Sequence, residues 1–172
     1  MAVAAQIPFE KYIRLQVGMS EGEILARVGL PDREIYFDSE AQRTVESIKQ
    51  YLYIPEPEAG DPHLTIITFQ KGKVLNIERI KLFFSPSESK GGQIKTEDFQ
   101  RLRLGMSEAE VLARVGLPDK EIFLGTDLQT PRTSIKQLLY IPKAVEHDPH
   151  VTVITIQQGR VINLERTKLL SR

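Results

Sequence analysis

The chain states one motif twice, and that duplication limits its architecture more than any other feature. Gly18-Met-Ser-Glu-Gly-Glu-Ile-Leu-Ala-Arg-Val-Gly-Leu-Pro-Asp32 returns as Gly105-Met-Ser-Glu-Ala-Glu-Val-Leu-Ala-Arg-Val-Gly-Leu-Pro-Asp119. A shift of 87 positions, Gly18 onto Gly105, aligns residues 14–82 with 101–169 without a gap, and roughly half of the aligned positions are identical. Two copies are too few for a solenoid, so a pair of like domains is expected. The spacing divides the chain into a first repeat over 7–84, a linker over 85–93 containing Gly91 and Gly92, and a second repeat over 94–172.

Each motif reads as a short helix with chemically fixed ends. Ser20 is an N-cap with Glu23 three residues on, and Ser107 and Glu110 repeat this capping box. Met19 with Ile24, and Met106 with Val111, have the spacing of a hydrophobic staple. Ile24, Leu25 and Val28 fall on one face, which tertiary packing must cover because so short a helix is marginal alone. Gly29 is expected to be the left-handed residue after the last turn, and Pro31 prevents continuation. A short helix within 7–15 should precede the first motif, and one capped by Thr96 the second.

Strands follow. Residues 34–37, 47–54, 63–70 and 73–79 have β-rich patterns, as do 121–124, 134–141 and their counterparts around Gln158-Gly159. Lys71-Gly72 is a two-residue hairpin turn. The fold class is therefore α+β: two tandem repeats, each with two short helices on one face of an antiparallel sheet. Loops 38–46, 56–61, 125–133 and 143–148 diverge most between copies and are expected to be exposed.

Simple alternation from that turn places Phe69 opposite Val74, Ile67 opposite Asn76 and Thr65 opposite Glu78, with Leu64, Ile66, Leu75 and Ile77 on the other face. The second set carries no acid or amide, which assigns it to the helices. The first set, with Thr152, Ile154, Ile156, Asn163 and Glu165 from the second repeat, becomes the candidate binding surface. Burial logic gives equal weight to packing of the two repeats through the same residues. Tyr51, Tyr53 and Tyr140 join the candidate surface as stacking side chains, against the alternative of half-buried packing.

The helix, helix and strand order, with Gly-Met-Ser…Glu-Ile-Leu…Val-Gly-Leu-Pro-Asp and Thr-Ile-Ile-Thr-Phe-Gln-Lys-Gly-Lys-Val, resembles the SmpA/OmlA (BamE-like) outer-membrane assembly lipoprotein domain. Two such units in tandem are similar in architecture to the β-lactamase inhibitor protein. The resemblance implies a non-enzymatic protein of the periplasm or cell envelope that binds another protein. Alternatives are an inhibitor of a hydrolase such as a β-lactamase, and a carrier of a small apolar or lipid ligand. The family's lipid anchor needs a cysteine, and the sequence has none. Met1-Ala-Val-Ala-Ala-Gln6 reads either as the remnant of a trimmed export leader or as an ordinary Ala-rich terminus.

Chemistry is sparse. With 23 basic and 23 acidic residues, neutrality argues against nucleic acid or an anionic membrane as the main partner. No apolar run is long enough for a transmembrane segment. Asp61-Pro-His63 and His147-Asp-Pro-His150 offer possible metal donors, but Asp-Pro turns entering a strand explain them better. Ser20 and Ser107 are accounted for as caps, and no nucleophile elbow or phosphate loop occurs. No catalytic set, cofactor or metal site is expected, and oligomeric state is not specified by any pattern.

Overall fold

A computed structural model describes residues 6–37, 48–55, 63–82, 94–124, 135–142 and 150–169. The four divergent loops, the expected linker and Met1–Ala5 lie outside these residues. The chain divides into two units, Met1–Leu82 and Phe83–Arg172. Each holds two short helices and a four-stranded antiparallel sheet, so the fold is α+β with two similar halves.

In the first unit α1 spans Phe9–Tyr12 and α2 Glu21–Val28, and the strands are β1 (Arg33–Phe37), β2 (Ile48–Tyr53), β3 (His63–Gln70) and β4 (Lys73–Lys81). The second unit repeats this with α3 (Thr96–Gln100), α4 (Glu108–Val115), β5 (Lys120–Leu124), β6 (Ile135–Tyr140), β7 (His150–Gln157) and β8 (Arg160–Lys168). Both sheets run in sequence order, β1 to β4 and β5 to β8. Lys71 and Gly72 both have positive φ, 53° and 71°, the backbone that matches a tight turn to the twist of its strands.

The capping box forms as the sequence indicates. Ser20 Oγ accepts from the Glu23 amide at 3.3 Å, and the Glu23 carboxylate accepts from the Ser20 amide at 2.8 Å. Ser107 and Glu110 do the same, at 3.3 and 2.8 Å. These contacts hold both glutamates below the ordinary carboxylate range, chiefly through the capping amide.

The remaining motif residues tie each helix to its sheet. At the start of α2 the Gly18 amide donates to Val74 O and the Val74 amide to Met19 O, both at 2.8 Å, and the Glu21 amide reaches Gly72 O at 3.1 Å. At the far end Asp32 accepts from the Ile54 amide at 2.6 Å, and its own amide donates to Leu52 O at 2.9 Å. The Tyr53 hydroxyl donates to Gly29 O at 3.0 Å. All these bonds recur in the second unit through Gly105, Glu108, Asp119 and Tyr140. Gly29 has φ 86° and ψ −170°, an extended positive-φ conformation open essentially to glycine, in place of the left-handed helical one expected.

One irregularity decides which side of the sheet the helices cover. Phe69 pairs with Val74, but Thr68 pairs with Asn76, so Leu75 is an extra residue in β4. Beyond it Ile67 pairs with Ile77, Ile66 with Glu78 and Thr65 with Arg79. Ile162 occupies the same place in β8. Because side chains alternate with period two, a one-residue insertion sends everything beyond it to the opposite face. The alternation expected from the turn therefore holds for Phe69 and Val74 and fails for Asn76 and Glu78.

The bulge creates an apolar face of Tyr51, Tyr53, Ile67, Phe69, Val74 and Ile77, and this is the face under the helices. Ile7, Leu15, Ile24 and Val28 pack with these residues in one core. In the second unit Leu102, Val111, Leu138, Tyr140, Ile154, Ile156 and Val161 form the equivalent core. The assignment of Leu64, Ile66, Leu75 and Ile77 to the helices is thus corrected, since only Ile77 lies on that side.

Candidate functional site

Most of the sequence-derived binding surface lies in the cores. Ile67 is fully buried and Phe69 is 1% exposed, and both belong to the core under the helices, as do Tyr51 and Tyr53. Ile154, Ile156 and Tyr140 share this fate in the second unit. Thr65 and Thr152 are buried as well. Asn76, Glu78, Asn163 and Glu165 lie on the opposite side and are half-buried. The thirteen side chains therefore do not form one surface.

The side without helices is not an open platform either. Leu52, Leu64 and Ile66 are buried there, as are Leu139, Val151 and Val153 in the second unit. Its buried amides are matched to hydroxyls: Gln50 Nε2 donates to Thr68 Oγ1 at 2.9 Å, and Gln137 Nε2 to Thr155 Oγ1 at 3.1 Å. The expectation that these side chains stand exposed on the sheet faces therefore does not hold for the residues named.

The tyrosines likewise have structural work. Tyr53 and Tyr140 donate to the carbonyl at the end of the main helix, and burial pushes both phenols above their ordinary range. Tyr51 packs edge-on against Phe69, with ring centroids 4.8 Å apart, and its hydroxyl donates to the Glu21 carboxylate. Lys49 pairs with the same carboxylate, and its ammonium lies 4.9 Å from the Tyr51 ring centre. The Lys49 and Tyr51 hydrogen bonds hold Glu21 below its ordinary range, while burial and then Glu21 raise the Tyr51 phenol. The second unit keeps the ion pair, Lys136 with Glu108, but Leu138 replaces Tyr51 and Ile156 replaces Phe69. This cluster closes the seam between helix and sheet and presents no nucleophile with a base.

Surface reading finds a pattern that alternation missed. Tyr36 on β1 and Phe123 on β5 are 63% and 67% exposed, although both are large aromatics. Leu30 and Leu117, just past the main helices, are 64% and 72% exposed, and Val17 and Leu104 stand equally clear before them. Each pair is related by the same 87-residue shift, so three exposed apolar positions were kept through the duplication. Tyr36 and Phe123 lie on edge strands, each near its lysine: Lys49 at 5.7 Å and Lys136 at 5.8 Å from the ring centres. The signal was present in the aligned copies as apolar residues, although Leu30, which after the Gly29 cap is expected to fold back on the helix, is exposed instead.

Among the described residues no group of three or more His, Asp, Glu or Cys is placed to hold a metal. His147 and Asp148 of the candidate triad lie outside them, while His63 and His150 begin β3 and β7. Ser20 and Ser107 act as caps. No described helix is long and apolar enough to cross a membrane.

No protein-family model matches the chain, and no curated protein does. Among solved structures, one described as a "putative beta-lactamase inhibitor protein" from Streptococcus mutans aligns over 96% of this chain and 92% of its own, with 13% identity and a TM-score of 0.41. A likeness at that level carries no argument about function.

Proposed function

We propose that the chain is a non-enzymatic protein-binding module of the bacterial cell envelope, and that it engages its partner through the repeated apolar positions Val17/Leu104, Leu30/Leu117 and Tyr36/Phe123. The duplication carries this reading. A single exposed Leu or Phe needs no explanation. Three apolar side chains that stand on the surface at equivalent positions of both copies favour a contact made by each copy. The envelope compartment rests on the SmpA/OmlA-like motif order. The partner is another protein, since the charge balance disfavours nucleic acid.

A photo-crosslinking residue at Tyr36 or Phe123, with Lys71 in the exposed hairpin turn as control, tests the reading in an envelope extract. Distinct protein adducts from positions 36 and 123, weakened by the Leu30→Glu/Leu117→Glu double variant, are expected. Equal labelling from position 71, or no adduct at 36 and 123, would remove it. The inhibitor alternative predicts 1:1 inhibition of a hydrolase by a loop among 38–46, 56–61, 125–133 and 143–148, which lie outside the described residues. The carrier alternative predicts co-purifying lipid in native mass spectrometry.

A further inference from the structure

The outer edges of each sheet are treated differently. At the β4 edge Val74 turns its backbone outward to Gly18 and Met19, and the extra residue Leu75 follows, both of which deter a further strand. The direction of Val74 also fixes the β1 edge, because backbone groups alternate along an antiparallel ladder. Phe69, paired with Val74, faces β2, and its partner there, Lys49, faces β3. Gln50 therefore faces β1, where it meets Ile35. Ile35 thus points its amide and carbonyl inward, while Glu34 and Tyr36 point theirs out of the sheet. The same count from Val161, through Ile156, Lys136, Gln137 and Ile122, turns Glu121 and Phe123 outward on β5. Neither edge strand contains proline or a register shift, and among the described residues nothing bonds to these outward amides and carbonyls.

The edge side chains alternate as well. Ile35 and Ile122 are buried, whereas Glu34 and Glu121 are exposed on the opposite side of the sheet. Glu34 accepts from the Tyr36 hydroxyl at 2.6 Å, and neither glutamate forms an ion pair among the described residues. The nearby lysines, Lys49 and Lys136, are held by Glu21 and Glu108. Each edge therefore carries an unneutralised carboxylate beside an exposed aromatic ring.

We propose that β1 and β5 each take up an extended segment of another protein as an added antiparallel strand. That segment carries Arg or Lys across from Glu34 or Glu121 and an aliphatic residue across from Ile35 or Ile122. In strand addition the backbone supplies affinity and alternate side chains supply specificity. Opposite charges across a strand pair stabilise it, and a β-branched residue packs well across from an aromatic one, here Tyr36 or Phe123. A second copy fits less well. Paired about Ile35, its β1 would set a tyrosine and not a cation across from Glu34, and pairing through both edges of every chain would continue as an open filament. The inference deepens the protein-binding reading above and rests on it, adding how Tyr36 and Phe123 meet the partner.

Amide hydrogen exchange of the full chain, followed by NMR with the peptide acetyl-Ser-Thr-Val-Arg-Val-Ser-amide, tests it. Bound antiparallel, this probe sets Thr across from Tyr36, Val across from Ile35 and Arg across from Glu34. Exchange at Glu34, Tyr36, Glu121 and Phe123 should slow at about millimolar peptide. N-methylation of the Thr or Arg of the peptide should weaken binding about tenfold, and N-methylation of the Val between them should have little effect. Glu in place of the peptide Arg should weaken binding about fivefold or more, and the Glu34→Lys/Glu121→Lys double variant, changed only at exposed positions, should reverse that preference. Binding that leaves the four amides unprotected, or that tolerates both N-methylations, would overturn strand addition. The crosslinks at positions 36 and 123 would then still decide the protein-binding reading separately. Equal binding of the Arg and Glu peptides, or no binding up to about 10 mM, would also overturn the proposal. Protection of the same amides that grows with protein concentration in the absence of peptide would assign the edges to a second copy and overturn the choice of occupant.

Discussion

Replacing Phe69 by alanine separates a core side chain from a docking one. Phe69 is 1% exposed, stacks edge-on with Tyr51 and shares a core with Ile24 and Val28 of α2. Truncating a buried phenylalanine costs about 3–5 kcal/mol, of which the aromatic pair accounts for about 0.5–1.5 kcal/mol. In urea, a loss of about 3 kcal/mol over a slope of about 1.5 kcal/mol/M lowers the midpoint by about 2 M. Phe123→Ala, at a residue 67% exposed, should change stability by less than about 0.5 kcal/mol. Tyrosine fluorescence suits the assay, because there is no tryptophan and four of the five tyrosines (Tyr12, Tyr36, Tyr51 and Tyr53) belong to the first unit. A Phe69→Ala midpoint within about 0.3 M of wild type, with a normal slope, would refute the burial of this ring under α2.

Glu21→Gln should remove a pH-dependent part of stability. The Lys49 and Tyr51 hydrogen bonds lower the Glu21 pKa from its ordinary 4.5, so its stabilisation is fully present above that value and is lost as pH falls through the lowered one. Urea midpoints of variant and wild type should therefore differ at pH 7 and converge in acid, and a constant difference would contradict the assignment. Tyr53→Phe and Tyr140→Phe each delete a hydroxyl that donates to a helix-end carbonyl, at 3.0 and 2.9 Å. Each should cost about 1 kcal/mol by denaturation, and no loss in either would show that these bonds do not secure the helix ends.

Much of the fold could be read from residues whose chemistry is local. The Ser20-Glu23 box, the Lys71-Gly72 turn and the order of the strands all depend on near neighbours. The sidedness of the sheet was not legible in the same way. The rule that helices take the face free of acids and amides was sound, but it was applied to a register without the extra residue Leu75. With the bulge, Ile77 joins Ile67 and Phe69, while Asn76 and Glu78 leave for the other side. Nothing in Val74-Leu-Asn-Ile announces the bulge, because it carries no glycine. Its role depends on a distant partner, since Val74 turns both backbone groups outward to Gly18 and Met19.

Nuclear Overhauser contacts from the methyl groups of Ile24 and Val28 test the placement of the helix most directly. Cross-peaks to the rings of Tyr51 and Phe69 and the methyls of Ile67, with none to Leu64 or Ile66, are the predicted result. Cross-peaks to Leu64 and Ile66 in their place would contradict the bulged register and restore Phe69 and Ile67 to the other face of the sheet.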